Sequence, residues 1–337
     1  MTTSDATGAP QALDTVDTVV SLADDAGTPD EPRRRRVRSG ASPLGERSGS
    51  WFVRVAVIII VVVWSIPTIG VLISSFRPES EVNNTGWWTV LTAFWSPSEW
   101  TLDNYRSVLD AGGFGNAFMN SLALTIPSTV IPITIAAFAA YAFSWMEFKG
   151  RQLLFVMVVG LMVVPLQMAL VPVLRLYTGG GAIGPIPLFP DLDLGGTFLG
   201  VWLAHTAFGL PLATYLLRNY IGSLPSSIIE SAKIDGADHF TIFWRLIVPL
   251  SVPALAAFAI FQFMWVWNDL LVAYVFLGGS RENRVLTLAL QELAGSRGQS
   301  WHLLTSAAFI SMSLPLVVFF SLQRYFVRGL TAGSVKG

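Results

Sequence analysis

Leu224-Pro225-Ser226-Ser227-Ile228-Ile229-Glu230-Ser231-Ala232-Lys233-Ile234-Asp235-Gly236 is a polar interruption between two long apolar runs of a 337-residue chain. Pro225 suits the first turn of a helix, where its missing N–H costs nothing. Ile228, Ile229 and Ala232 then recur on one helical face. Gly236 supplies the left-handed residue that stops a helix, and Asp238 offers a side-chain acceptor that starts the next one. Phe240, Phe243, Leu246 and Ile247 repeat along a second short helix, which Pro249 is expected to end. The stretch predicts two short amphipathic helices about a glycine turn, lying outside a bilayer. Their apolar faces suit either a groove on a partner protein or the lipid interface; on physics alone both remain open.

The runs on either side are membrane-like. Hydrophobic residues make up 53% of the chain, charged residues only 13%, and the mean hydropathy is +0.57. Soluble domains carry about 25% charged residues. A bilayer core needs about 20 consecutive apolar residues per helix. Six segments meet that length, at 52–74, 119–143, 153–175, 197–218, 253–277 and 303–324. Pro67, Pro127, Pro132, Pro165, Pro172, Pro211 and Pro315 fall inside them and mark kink sites, which packed membrane helices tolerate. The expected fold class is all-α, a polytopic bundle of six membrane helices. There is no cysteine, so disulfides and thiolate metal sites are excluded. No metal or cofactor is expected.

Basic residues orient the bundle. With both termini inside, only Arg77, Arg106, Arg175, Arg281, Arg284 and Arg297 fall outside, and the remaining 15 of the 21 lie inside. That bias predicts cytoplasmic termini, although much of it comes from the tail. Residues 1–50 are rich in Thr, Asp, Ser, Pro and Gly without apolar periodicity and read as a disordered tail. Its Arg33-Arg34-Arg35-Arg36-Val37-Arg38 run reads as a topology anchor, with a docking patch for anionic lipid or a partner as the alternative. Residues 75–118, with four tryptophans, read as a small aqueous cap on the outer side, and 176–196 as a second outer loop. The quoted stretch lies in the cytoplasmic loop 219–252. The permease domain is thus 51–337.

Glu230-Ser231-Ala232, Gly236 and Ile247-Val248-Pro249 resemble the coupling (EAA) loop of ABC-importer permeases, whose pattern is Glu-Ala-Ala, a Gly four residues on, then Ile-x-Leu-Pro. Ser231 replaces the first Ala, and the tail of the pattern matches approximately. Asn120-Ser121-Leu122, Ile234-Asp235-Gly236-Ala237, Trp267-Asn268-Asp269-Leu270-Leu271 and the terminal Gly329–Gly337 resemble the second permease of carbohydrate importers of the maltose type. Ala140-Tyr141-Ala142-Phe143, Trp145-Met146-Glu147-Phe148, Leu203-Ala204-His205-Thr206 and Gln323–Gly329 narrow the likeness to alpha-glucoside importer permeases. The resemblance spans about 51–337 and implies a type I ABC importer permease in a bacterial cell membrane. Its implied partners are a second permease subunit, a cytoplasmic ATP-binding subunit dimer, an extracellular solute-binding protein and the lipid bilayer. It further implies that Glu230, Ser231, Ala232, Asp235, Gly236, Ile247 and Pro249 dock on and couple to the ATPase. The tail residues Gly333, Ser334, Val335 and Lys336 would reach the ATPase dimer interface.

Asn268 and Asp269 fall inside the expected fifth span. A buried acid there is costly, at least ~2.5 kcal/mol on insertion scales. With Trp267 they are candidates for a sugar path; an interhelical hydrogen bond is the alternative. Gln262, Gln167 and Asn120 are weaker candidates, and His205 reads as a packing residue because no His or carboxylate lies at helical spacing from it. No Gly-x-x-x-x-Gly-Lys-[Ser/Thr] phosphate loop occurs, so ATP hydrolysis is expected on a partner. No His-Glu-x-x-His or Gly-x-Ser-x-Gly motif points to an enzyme, and no nucleic-acid partner is expected. A self-contained secondary transporter is the main alternative. It would carry charges in several spans and internal symmetry, and the sequence offers one clear buried acid and no convincing repeat.

Overall fold

The computed structural model describes residues 43–111, 113–183, 186–295 and 300–331. Two compact units meet after Val61, inside the first helix. In the first, only the helical residues from Pro43 are described. Residues 43–50, assigned to the tail by composition, belong to α1 (Pro43–Ser75). Pro43 opens it, as its fixed φ favours.

The second unit follows the rest of the chain. After α1 come α2 (Glu79–Asn84), 3₁₀ turns at Trp87–Leu91 and Pro97–Glu99, and α3 (Asp103–Ala111). Then come α4 (Phe114–Trp145), α5 (Arg151–Gly160) with a 3₁₀ turn at Leu161–Val163, and α6 (Leu166–Gly179). A small antiparallel hairpin, β1 (Gly181–Ile183) with β2 (Ile186–Phe189), precedes α7 (Phe198–Ile221). Next are α8 (Ser226–Ile234), α9 (His239–Ile242), a π turn at Phe243–Ile247, and α10 (Val248–Trp267). α11 (Leu271–Leu277), α12 (Leu286–Gly295) and α13 (Trp301–Thr331) complete it.

Five stretches among the described residues are long and apolar enough to cross a membrane unbroken, namely Trp51–Ser75, Phe114–Trp145, Phe198–Ile221, His239–Trp267 and Trp301–Gln323. The expected third span is not one straight helix. Arg151–Val163 and Leu166–Gly179 meet at 106°. The break has a local cause. Val164 precedes Pro165 and is extended, with φ −72° and ψ 118°, because the proline ring disfavours the helical basin for the residue before it. The other prolines named from sequence stay inside continuous helices.

Side-chain contacts show that the bent pair counts as a crossing. Trp202 Nε1 donates to Ala123 O at 3.2 Å, near the start of both α7 and α4, and Trp145 Nε1 donates to Ile221 O at 3.1 Å, where both end. α4 and α7 are therefore parallel, and the chain between them must return across the bundle. Their seam includes the small residues Ala136, Ala137 and Ala140 of α4 and Ala213 of α7, which let backbones approach closely where lipid offers no hydrophobic drive.

The fifth span is shifted from its expected place. It begins at His239 and ends at Trp267, so Pro249 lies in the first turn of α10 and ends nothing. The π turn just before Pro249 widens the helix where the ring and the missing N–H would disrupt an α turn. Beyond Trp267 the helix stops at Asn268, whose Nδ2 donates to Met264 O at 2.7 Å.

Candidate coupling loop and translocation path

α8 ends in a Schellman motif. Gly236 lies at φ 79°; its N–H donates to Lys233 O at 3.0 Å, and Ala237 N–H to Ala232 O at 2.9 Å. The 6→1 and 5→2 bonds consume two carbonyls that a helix end otherwise leaves unpaired. Asp238 then caps α9 by accepting the Thr241 N–H at 2.9 Å. The turn is thus closed from both sides.

The apolar faces of the pair are already occupied. Ile229, Ile242, Phe243 and Ile247 are buried against Ala136, Ala140 and Tyr141 of α4 and Leu217 and Ile221 of α7. Each contributes about 1.5–3 kcal/mol by leaving water. Phe138 of α4 stacks on Phe243 with centroids 4.4 Å apart. The Tyr141 hydroxyl and His239 Nδ1 lie 2.8 Å apart and share a hydrogen bond. The face expected to seek a groove or lipid is therefore the one that fixes the loop to its own helices. Ile228 and Phe240, expected on the same faces, are exposed instead. Glu230, Ser231, Asp235 and Gly236 also point away from the bundle, as does Ile234, at 84% exposure. A rigid element with an outward apolar residue ringed by carboxylates and small residues can carry a push from outside into α4, α7 and α10.

Of the coupling candidates, Glu230, Ser231, Asp235 and Gly236 share this outer surface, and Ala232 is half-buried under it. Ile247 is buried at the π turn, and Pro249 is exposed two residues further on. Gly333, Ser334, Val335 and Lys336 lie outside the described residues.

The candidate path residues are not brought together. Trp267 is buried between α10 and α13; its Nε1 donates to Ser311 O at 3.1 Å, and it stacks on Phe263 at 5.8 Å. Its ring and its indole N–H are thus both engaged within the bundle. Asn268 caps α10. Asp269 caps α11, accepting from Val272 N at 3.3 Å and Ala273 N at 3.0 Å. Its Oδ2 also lies 3.7 Å from Nε2 of His205, a ring that is fully buried and whose nitrogens have no hydrogen-bond partner among the described residues. Sequence reading missed this pair because the two residues come from α7 and the α10–α11 break, where spacing carries no signal. Asn120 ties α4 to the loop before α12, donating to Glu282 O at 2.7 Å and Arg284 O at 3.0 Å.

A cavity of about 580 Å³ lies instead at the α5–α6 bend. Leu161, Met162 and Pro165 line one side, Phe208 and Pro211 of α7 another, and Phe261, Gln262 and Trp265 of α10 the third. Gln262, a weaker candidate from sequence, is fully buried there. Its Nε2 donates to Ser128 O at 3.2 Å, and its amide rests on Gly209, where a Cβ would come within 2.8 Å of Oε1.

A bundle of membrane-length helices with a bend and cavity at mid-chain, and a loop fixed to its helices, has the architecture of a membrane transport subunit. The chain belongs to the family described as binding-protein-dependent transport system inner membrane component, whose model matches residues 132–332. It is thus an ABC-importer permease. The osmoprotective compounds uptake permease protein GgtD of Synechocystis sp. is 59% identical, over 84% of this chain and 91% of that one. The alpha-glucoside transport system permease protein AglG of Rhizobium meliloti is 44% identical, over 89% of this chain and 99% of that one. Among solved structures, a bacterial ABC transporter involved in the import of the acidic polysaccharide alginate has a chain of the same fold. Its TM-score is 0.67 at 20% identity, covering 89% of this chain and all of that one.

Proposed function

We propose that the chain is one half of the translocation path of an ATP-driven sugar importer, and that the loop 219–252 receives the motion of a cytoplasmic ATP-binding subunit dimer. The observation that carries this reading is the outward face of α8, with Ile234 exposed over a Schellman turn whose inner face is locked to α4 and α7. A helix lying on lipid would turn its apolar face outward as a stripe, and here Ile229, Ile242, Phe243 and Ile247 face inward. Glu230 pairs with the ATPase or braces the loop, and Gly236 permits the turn. Gly333, Ser334, Val335 and Lys336 reach the ATPase dimer interface. Hydrolysis is the partner's work.

The loop side of the bundle is cytoplasmic in this reading, and both termini share it. An even number of crossings and the basic-residue bias support this orientation. A second permease completes the path, and an extracellular solute-binding protein delivers the cargo. The Gln262–Trp265 cavity is the better candidate for sugar contact, since an amide and aromatic faces suit hydroxylated rings, and Trp267 is committed to packing.

The names of the two relatives favour two cargo classes, alpha-glucosides and osmoprotective compounds. Uptake by the reconstituted complex, offered a panel of both, separates them. Glu230→Gln tests the coupling. The complex should assemble with near-normal basal ATP hydrolysis and lose most cargo-stimulated hydrolysis and uptake. Normal coupling in an assembled Glu230→Gln complex contradicts the role.

A further inference from the structure

We propose that the cap between α1 and α4 is a lipid-docked element, its Trp88, Leu91, Phe94 and Trp95 face bedded in the interfacial layer of the bilayer. Composition alone reads this segment as an aqueous cap. Four observations place it lower.

The cap folds back along the membrane helix. Trp87 packs on Gly70 so closely that a Cβ there would meet the indole Nε1 at 2.8 Å. Gly70 lies five residues before the end of α1, roughly 7–8 Å below it at 1.5 Å per residue. The 3₁₀ turn Trp87–Leu91 therefore runs beside the last turns of a membrane span, at interface depth. Ile66 and Ile69 of the same helix are exposed as well.

The cap carries a run of exposed apolar residues. Trp88 and Leu91 are three apart in a 3₁₀ turn, so they eclipse. Phe94 follows three residues on, and its ring meets that of Trp95 edge-on at 5.1 Å. Trp95 is 90% exposed, and Trp88, Leu91 and Phe94 are each about half exposed or more. Among the described residues, neither the Trp88 nor the Trp95 indole N–H has a protein acceptor. An apolar body with a free polar handle is what the headgroup layer selects.

The charges exclude electrostatic attraction to an acidic surface. No Lys or Arg occurs between Arg77 and Arg106. Arg77 itself is buried, donating to Glu99 Oε2 at 3.0 Å, Glu81 Oε2 at 3.3 Å and Gly86 O at 3.0 Å. Docking must rest on apolar and indole insertion.

The face is also preorganised. Arg77, just beyond α1, donates to Gly86 O at 3.0 Å and to Thr89 Oγ1 at 3.2 Å, and Trp100 Nε1 donates to Phe94 O at 2.9 Å. With the stretch held at both ends, ordering costs little on docking.

The chain has no cysteine, so single labels are direct. Leu91→Cys and Trp95→Cys, both at exposed sites, carry a nitroxide in the assembled transporter with cysteine-free partner subunits, in phosphatidylcholine vesicles. Asn83→Cys on α2 is the polar control, and retained ATP hydrolysis confirms assembly. Collision with oxygen relative to a water-soluble nickel chelate should be several-fold higher at 91 and 95 than at 83. The ratio should be unchanged by anionic lipid or by high salt. Equal ratios at all three positions place the cap in water and overturn the proposal. So does chelate protection at 91 and 95 that appears only when a solute-binding protein is added, since that assigns the face to a soluble partner.

Discussion

At Gly236 one backbone angle decides the shape of the coupling turn. Nothing crowds the position where a Cβ would stand, so the demand for glycine comes from φ 79° alone. Gly236→Ala should cost about 1–2 kcal/mol, seen as a lower midpoint of thermal unfolding and weaker cargo-stimulated ATP hydrolysis. Gly236→Asn should recover much of both, because Asn tolerates the left-handed region. Equal losses in the two variants would mean that bulk, not conformation, matters there. Gly209 is the opposite case, a helical position where space decides. Gly209→Ala must displace Gln262 from Ser128 O, and the lost hydrogen bond should lower stability by about 1 kcal/mol. Gly236 was legible in the sequence, since a glycine after a short amphipathic run has few other uses. Gly209 was not, because its meaning depends on a side chain 53 residues away in α10.

Among the elements, α9 shows what a cap contributes and at what pH. Thr241, through its side chain and its N–H, holds the Asp238 carboxyl below the ordinary carboxylate range. A carboxyl lowered in the folded state stabilises above its ordinary range, and that contribution is lost as pH falls through the lowered value. Asp238→Asn keeps a neutral cap. The wild type should therefore lose stability relative to Asp238→Asn on acidification, while Asp238→Ala should be the least stable of the three at neutral pH. A thermal-unfolding difference between wild type and Asp238→Asn that stays flat down to strongly acid pH would contradict the assignment. In the cap, Arg77→Met leaves Glu81 and Glu99 without their cation and should cost about 3 kcal/mol, read as early unfolding of the assembled protein.

These elements also show where sequence reading ran out. The glycine turn, the Asp238 cap and four of the membrane crossings follow from local chemistry and apolar length, and they fall close to where the residues predict. The fifth span was misplaced because hydropathy cannot see a break made by side-chain caps. Asn268 and Asp269 close α10 and open α11 inside an otherwise apolar run. Pro249 misled in the other direction. A π turn absorbs it, and no periodicity announces a π turn. The surroundings of Trp267, namely Phe263, Phe118 and Ser311, come from two other helices as well as its own, so its neighbours in the chain do not announce them.

At the scale of the whole molecule, family membership sets the expected company. The chain should purify from its native membrane with an ATP-binding subunit and a second permease, and isolation as a lone active transporter would return the secondary-transporter alternative. The central claim is narrower, that the loop's outer face meets the ATPase. Ile234→Cys adds one thiol to a cysteine-free chain at a site 84% exposed. With a photoactivatable cross-linker on that thiol in the assembled transporter, the account predicts a covalent product with the ATP-binding subunit whose yield changes when nucleotide closes the dimer. Cross-linking to lipid alone, with no ATPase product in either nucleotide state, would contradict it.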